Sequence, residues 1–202
     1  SLFYIIEVFI FRYLTKIFFY LGLIYFELNN FKESIINYQK FLNEELNSLS
    51  ALLNIALVNQ TIGNIEDAKK NYTKSIELDN RKIRPYYGLF TLDPNFITDD
   101  YFHKILNIKN NLNLDLYERG LANFILSKRE KKNKNFRNEI KYLIDFHKNI
   151  FNYKYQYNLS SQFYYNQIIN QHFNKIKIKN EQNKLNKYKD ISPIFIIGLP
   201  RS

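Results

Sequence analysis

Apolar residues recur at helical spacing through most of the chain. Phe18, Leu21, Gly22 and Tyr25 follow the i, i+3, i+4, i+7 pattern of one buried helix face. Asn29-Asn30 then supplies a turn, because Asn tolerates the left-handed conformation that ends a helix. A second helix follows, with Ser34 and Tyr38 facing back across the pair. Further along, Arg84-Pro85 opens another helix with Pro85 in its first turn. Thr98-Asp99-Asp100 reads as an N-cap with acidic first-turn residues ahead of a helix over Tyr101–Asn110. Leu116–Lys128 and Phe136–Phe151 are predicted as a hairpin, with Phe136, Ile140 and Leu143 on one face. Ser160-Ser161 is predicted to cap a last helix through Phe163, Ile168 and Phe173.

Self-similarity sharpens this picture. Shifting the sequence by 34 sets Leu21-Gly22-Leu23-Ile24-Tyr25 on Ile55-Ala56-Leu57-Val58-Asn59. The same shift maps Phe18 to Leu52, Asn29 to Gly63, Phe31 to Ile65, Ser34 to Ala68, Tyr38 to Tyr72 and Phe41 to Ser75. Large positions meet large and small meet small at nearly every step, so the unit is a helical hairpin of fixed length. Gly22 and Ala56 let the second helix approach closely. The period and residue placement resemble tetratricopeptide repeats, at about residues 15–48 and 49–82, with Asn80 where the family usually has proline. Residues 1–14 read as the second helix of an earlier repeat, with Tyr4 lying 34 before Tyr38. A stack cut there leaves an apolar face bare at its N-terminal end. Past residue 82 the register drifts. Tyr25, Tyr38 and Tyr72 are expected in the core, and Asn59 is expected to face a groove.

Residues 177–190 are polar, lysine-rich and aperiodic, as in a linker or a loosely packed helix. Then Ile191-Ser192-Pro193-Ile194-Phe195-Ile196-Ile197-Gly198 is β-branched and apolar on both faces, like a strand inside a parallel sheet. It runs into Gly198-Leu199-Pro200-Arg201-Ser202, and a buried strand entering a small-residue loop is a geometry that recognises phosphate. Residues 193–202 resemble the start of the loop that binds the 5′-phosphosulfate of PAPS in sulfotransferases, where the family continues Gly-Thr-Thr. A bacterial branch of that family joins tetratricopeptide repeats directly to the catalytic domain, and Leu116–Phe124 is similar to it as well. The resemblance implies that Gly198, Leu199 and Pro200 shape the loop, while Arg201 and Ser202 contact the phosphosulfate. It also implies that the general base and acceptor pocket lie beyond residue 202, so that residues 1–202 alone turn over no PAPS.

Composition adds exclusions. There is no Cys, which removes disulfides, thiolate metal sites and cysteine nucleophiles. The chain also lacks Met, so residue 1 is not read as a natural N-terminus. Only 5 Gly and 4 Pro argue for long helices over a turn-rich β fold. His103, His147 and His172 share no ligand spacing. The uncharged run Ile17–Phe26 is too short to span a membrane. The net charge of +10 is spread along the chain, and its dense cluster Lys128–Lys134 is expected in a solvated loop.

The resulting expectation is an all-α, tetratricopeptide-like helical hairpin solenoid followed by the first strand of a truncated α/β, P-loop-like sulfotransferase domain. Its segments are repeats at 1–82, repeat-like hairpins at 83–176, a linker at 177–192 and the start of the catalytic domain at 193–202. The function expected of the parent protein is PAPS-dependent transfer of a sulfuryl group to a hydroxyl acceptor in a bacterial cytoplasm, with a protein or peptide held by the repeats. The alternative is a non-enzymatic scaffold that binds a peptide or protein in the repeat groove. Binding of nucleic acid and a membrane span are not expected.

Overall fold

The computed structural model describes residues 2–111, 113–169 and 171, with side chains described from residue 13 onward. The chain divides into two compact units, Ser1–Lys154 and Tyr155–Ser202. The described residues of the first hold eight α-helices: α1 (Leu2–Glu27), α2 (Phe31–Glu44), α3 (Leu49–Ile62), α4 (Ile65–Leu78), α5 (Ile83–Leu92), α6 (Asp99–Lys109), α7 (Leu116–Lys132) and α8 (Phe136–Tyr153). A short 3-10 turn, Pro94–Phe96, follows α5. In the second unit the described residues form α9 (Tyr155–Phe163) and a π-helical segment, Tyr164–Ile169.

The turns obey the chemistry of their residues. Asn29 (φ 58°) and Gly63 (φ 86°) both adopt the left-handed conformation at the ends of α1 and α3. The next amides, of Asn30 and Asn64, donate back to the carbonyls of Tyr25 and Asn59, each at 2.8 Å, which satisfies carbonyls that a helix end would otherwise leave open. Asn30, Ser48, Thr98 and Asp115 cap the helices they precede with side-chain oxygens.

Packing within the first repeat depends on one missing side chain. A Cβ on Gly22 would stand 2.6 Å from Tyr38 Cε1, so only glycine admits the Tyr38 ring there. Ser34 closes the same crossing by donating from Oγ to the Gly22 carbonyl at 2.8 Å. Tyr38, Ile55 and Val58 make one buried cluster with Phe19, Phe26, Phe31, Ile35 and Leu42 around it. Val58 is thus covered by α2, whereas its counterpart one period earlier, Ile24, is 53% exposed on the uncovered face of α1. A larger cluster links α3 to α7 through Tyr72, Ile76, Tyr86, Leu89, Ile105, Leu121 and Ile125.

Four expectations are corrected. Residues 2–14 belong to the single 26-residue helix α1 and not to a separate second helix of an earlier repeat; no turn residue interrupts the run. Lys128–Lys132 lie inside α7, and only residues 133–135 form the turn. Cations in the last helical turn sit favourably against the helix dipole, which removes the reason to place them in a loop. Ser160 and Ser161 lie within α9, not at a cap: the Ser160 hydroxyl donates to the Gln156 carbonyl, four residues back.

The fourth concerns the period. Helices α3 and α5 begin at residues 49 and 83, and helices α2, α4 and α6 at 31, 65 and 99, so the 34-residue step continues beyond residue 82. What changes there is the side-chain pattern. Gly22 and Ala56 are followed by Phe90, and Ser34 and Ala68 by Phe102. The close-packing signature disappears while the backbone spacing persists. The strand expected over residues 191–197 and the loop at 198–202 lie outside the described residues, as does His172.

Candidate functional site

The first helices of successive hairpins line one groove, with a volume of about 760 Å³. From α3 come Ser50, Leu53, Asn54, Leu57 and Gln60; from α5 come Arg84, Tyr87, Gly88 and Thr91. Phe19 of α1, Tyr72 of α4, Tyr117 and Leu121 of α7, and Tyr153 and Lys154 complete the lining. The α5 set repeats the α3 set one period later: Ser50 to Arg84, Leu53 to Tyr87, Asn54 to Gly88, Leu57 to Thr91. Phe19, Leu53, Tyr87 and Leu121 form a single column with a step of 34 residues. This column was open to sequence reading, because extending the shift past residue 82 at those positions finds it.

A hydrogen-bonded chain runs along the groove wall. The Tyr72 hydroxyl donates to Gln60 Oε1 at 2.8 Å. Gln60 Nε2 donates to Thr91 Oγ1 at 3.2 Å, and Thr91 Oγ1 donates to the Gly88 carbonyl at 2.8 Å. Three helices are thereby tied together by side chains of the site itself. Tyr38 and Tyr72 are buried, as expected, and Tyr25 is half-buried. Asn59 is a correction: it is 5% exposed and absent from the groove, its Oδ1 accepting from Asn64 Nδ2 at 3.5 Å. The residues that face the groove are its neighbours Leu57 and Gln60, because a helix turns about 100° per residue and one step changes the face.

Charge in the groove is one-sided. Its lining carries Arg84 and Lys154 and no carboxylate. Beneath it, buried Glu118 of α7 accepts from the Ile83 amide through Oε2 at 3.2 Å, thereby capping α5, whose own N-cap residue Lys82 makes no side-chain cap. Glu118 Oε1 lies 3.6 Å from Arg84 Nε, and the Arg84 guanidinium sits over the Tyr117 ring. Burial, more than any neighbour, pushes the Glu118 carboxyl above its ordinary value, with the Ile83 amide pulling the other way. Burial likewise raises the Tyr87 phenol.

Glu118→Ala is expected to lose about 1–3 kcal/mol in urea denaturation, since it leaves a buried helix N–H without an acceptor. Glu118→Gln keeps an acceptor and should lose less. Because the folded carboxyl is raised, the part of its contribution linked to protonation is fully present below about pH 4.5 and is lost as pH rises through the raised value, while the acceptor for the Ile83 amide is kept. The Gln variant should lack that part of the pH dependence, and identical pH profiles would contradict the assignment.

Among the described residues no cluster of His, Asp and Glu could hold a metal ion, and no helix is long and apolar enough to cross a membrane. His103 and His147 are exposed and lie on different helices. The site residues expected from the sulfotransferase resemblance, Gly198, Leu199, Pro200, Arg201 and Ser202, fall outside the described residues.

Residues 15–46 and 49–82 match the family model of the tetratricopeptide repeat, in the register read from the sequence. These two hairpins are tetratricopeptide repeats. No curated protein matches the chain. Among solved structures, one titled "Crystal structure of MamA protein" is similar, at 18% identity and a TM-score of 0.46, over 89% of this chain and 97% of that one. The tetratricopeptide hairpins, α1–α2 and α3–α4, supply the groove's first half, and α5 and α7 carry it onward.

Proposed function

We propose that the chain is an interaction scaffold whose groove holds an extended, acidic segment of a partner protein. The observation that carries this reading is the Phe19–Leu53–Tyr87–Leu121 column, which presents one apolar contact per hairpin along a single groove. Stacked hairpins generate extended concave binding surfaces of this kind. The lining supplies further amides and hydroxyls (Asn54, Gln60, Ser50, Thr91) for a partner's backbone, and Arg84 and Lys154 attract carboxylates. A partner segment with apolar residues between acidic ones fits both features.

Panning a displayed library of short peptides on the purified chain tests this. The enriched peptides are expected to be acidic, and to bind Arg84→Glu at least about tenfold more weakly, the order of one lost charge-assisted contact. Leu57→Glu, at a position 44% exposed, should weaken them as well without unfolding the protein. Peptides that bind both variants as well as the parent chain would sink the proposal.

A second reading rests on residues 193–202, whose sequence resembles the phosphosulfate loop. In it the repeats precede a sulfotransferase domain in which Gly198, Leu199, Pro200, Arg201 and Ser202 bind PAPS and a sulfuryl group passes to a hydroxyl acceptor. The repeats would then hold the acceptor or a partner. Sequencing the coding frame past the Ser202 codon separates the two. A continuation in Gly-Thr-Thr or a near variant supports the enzyme, and a stop codon leaves the scaffold.

A further inference from the structure

The α7–α8 turn combines two features that the groove does not use. Lys131 and Lys132 end α7, Lys134 lies in the turn with φ 58°, and Arg137 stands in the first turn of α8; all four are exposed. Among the described residues none of them takes part in an ion pair. Phe136 sits amid these cations and is 60% exposed. One and two helical turns further along the same stripe, Ile140 and Ile144 are 57% and 61% exposed.

The rest of α8's apolar face is occupied. Phe146 packs on Phe124, and Ile150 lies against Gly120. The exposed stripe is therefore a separate face, and Lys141 and Lys148 extend its exposed cationic border. The nearby acids offset this border only in part, since the six exposed cations Lys131, Lys132, Lys134, Arg137, Lys141 and Lys148 outnumber them. Glu130, Glu139 and Asp145 are only partly exposed, and Glu130 accepts from Asn138 Nδ2.

We propose that this hairpin tip docks on an anionic lipid surface. Phe136 and Ile140 enter the headgroup boundary while Lys131, Lys132, Lys134 and Arg137 contact acidic headgroups. The turn between α7 and α8 is three residues long and all three are exposed, and a lipid surface needs no concave seat. Clusters of four or more cations beside exposed apolar residues bind such surfaces through both terms. The site is distinct from the groove, so it stands or falls independently of the peptide reading.

Vesicle flotation with the full chain is the test. Vesicles of phosphatidylcholine containing about a quarter phosphatidylserine should carry the protein at low salt, and phosphatidylcholine alone should not. Reversing Lys131, Lys132 and Lys134 to Glu should reduce binding at least about a hundredfold, at about fivefold per cation. Phe136→Ser with Ile140→Ser should reduce it about tenfold and leave the helical circular dichroism unchanged.

Three outcomes overturn the proposal. One is no flotation with either vesicle. Another is flotation that the Phe136→Ser, Ile140→Ser variant leaves intact, which would be diffuse electrostatics from the net charge. The third is a concentration-dependent dimer, abolished by that variant, that forms in place of lipid binding and shows a second copy covering the stripe.

Discussion

Tyr72→Ala is expected to lower stability by about 3–5 kcal/mol, the range for removing a large buried aromatic. The ring is 5% exposed and occupies the point where α3, α4 and α5 meet. A Cβ on Gly88 would run into it, so the α5 backbone is seated directly on the ring. Its hydroxyl anchors Gln60, which in turn holds Thr91. In a stacked fold each hairpin is stabilised through its neighbours, so loss of this ring uncouples α5 from the second repeat. Tyr72→Phe keeps the ring and should lose only about 1 kcal/mol. Urea denaturation of the two variants decides the matter: a loss below about 1 kcal/mol for Tyr72→Ala would contradict the packing described.

The second large effect is alkaline unfolding. Burial pushes the phenols of Tyr38, Tyr72 and Tyr86 up to about 12, with burial the largest cause in each case. The sign follows from linkage. A phenol raised from 10 to about 12 on folding contributes stability that is complete below pH 10 and is lost as pH rises towards 12. After allowance for solvent screening each corresponds to on the order of 1–2 kcal/mol, so the three together remove a sizeable part of the stability of a small domain, about 5–15 kcal/mol. The helical signal is expected to collapse between pH 10 and 12, in step with the absorbance of newly ionised phenols. A protein still folded above pH 12 with those phenols ionised would show that the three rings are not enclosed as described.

The first two hairpins were legible because each position carries its own physical demand. Gly22 and Ala56 are small where a ring must approach, Asn29 and Gly63 tolerate the left-handed turn, and Tyr38 and Tyr72 fill the crossing. A shift of 34 therefore aligns chemistry as well as spacing. Beyond residue 82 the spacing continues without that chemistry. Phe90 and Phe102 replace small residues, Pro94 opens a 3-10 turn after a shortened α5, and α7 is longer than α3. The eye that follows small residues loses the register there, whereas the groove column Phe19, Leu53, Tyr87, Leu121 preserves it.

The site was harder to read than the fold. Groove-facing and core-facing positions differ by a single step on α3, where Asn59 is buried and Gln60 lines the groove. A polar side chain in a repeat invites the assumption that it faces a ligand, but Asn59 is satisfied locally by Asn64. The trans cap of α5 by Glu118 was invisible for another reason. The two partners are 35 residues apart, and nothing local to Ile83 calls for a carboxylate from α7.

The most direct test of the groove's role is amide chemical-shift mapping with an acidic peptide obtained by panning. Shifts concentrated on the first helices α1, α3, α5 and α7, centred on Phe19, Leu53, Leu57, Tyr87, Thr91 and Leu121, are expected and would place the partner along the column. Shifts centred instead on the outer helices α2 and α4, around Lys40, Lys70 and Lys74, would contradict the assignment of the groove as the binding surface.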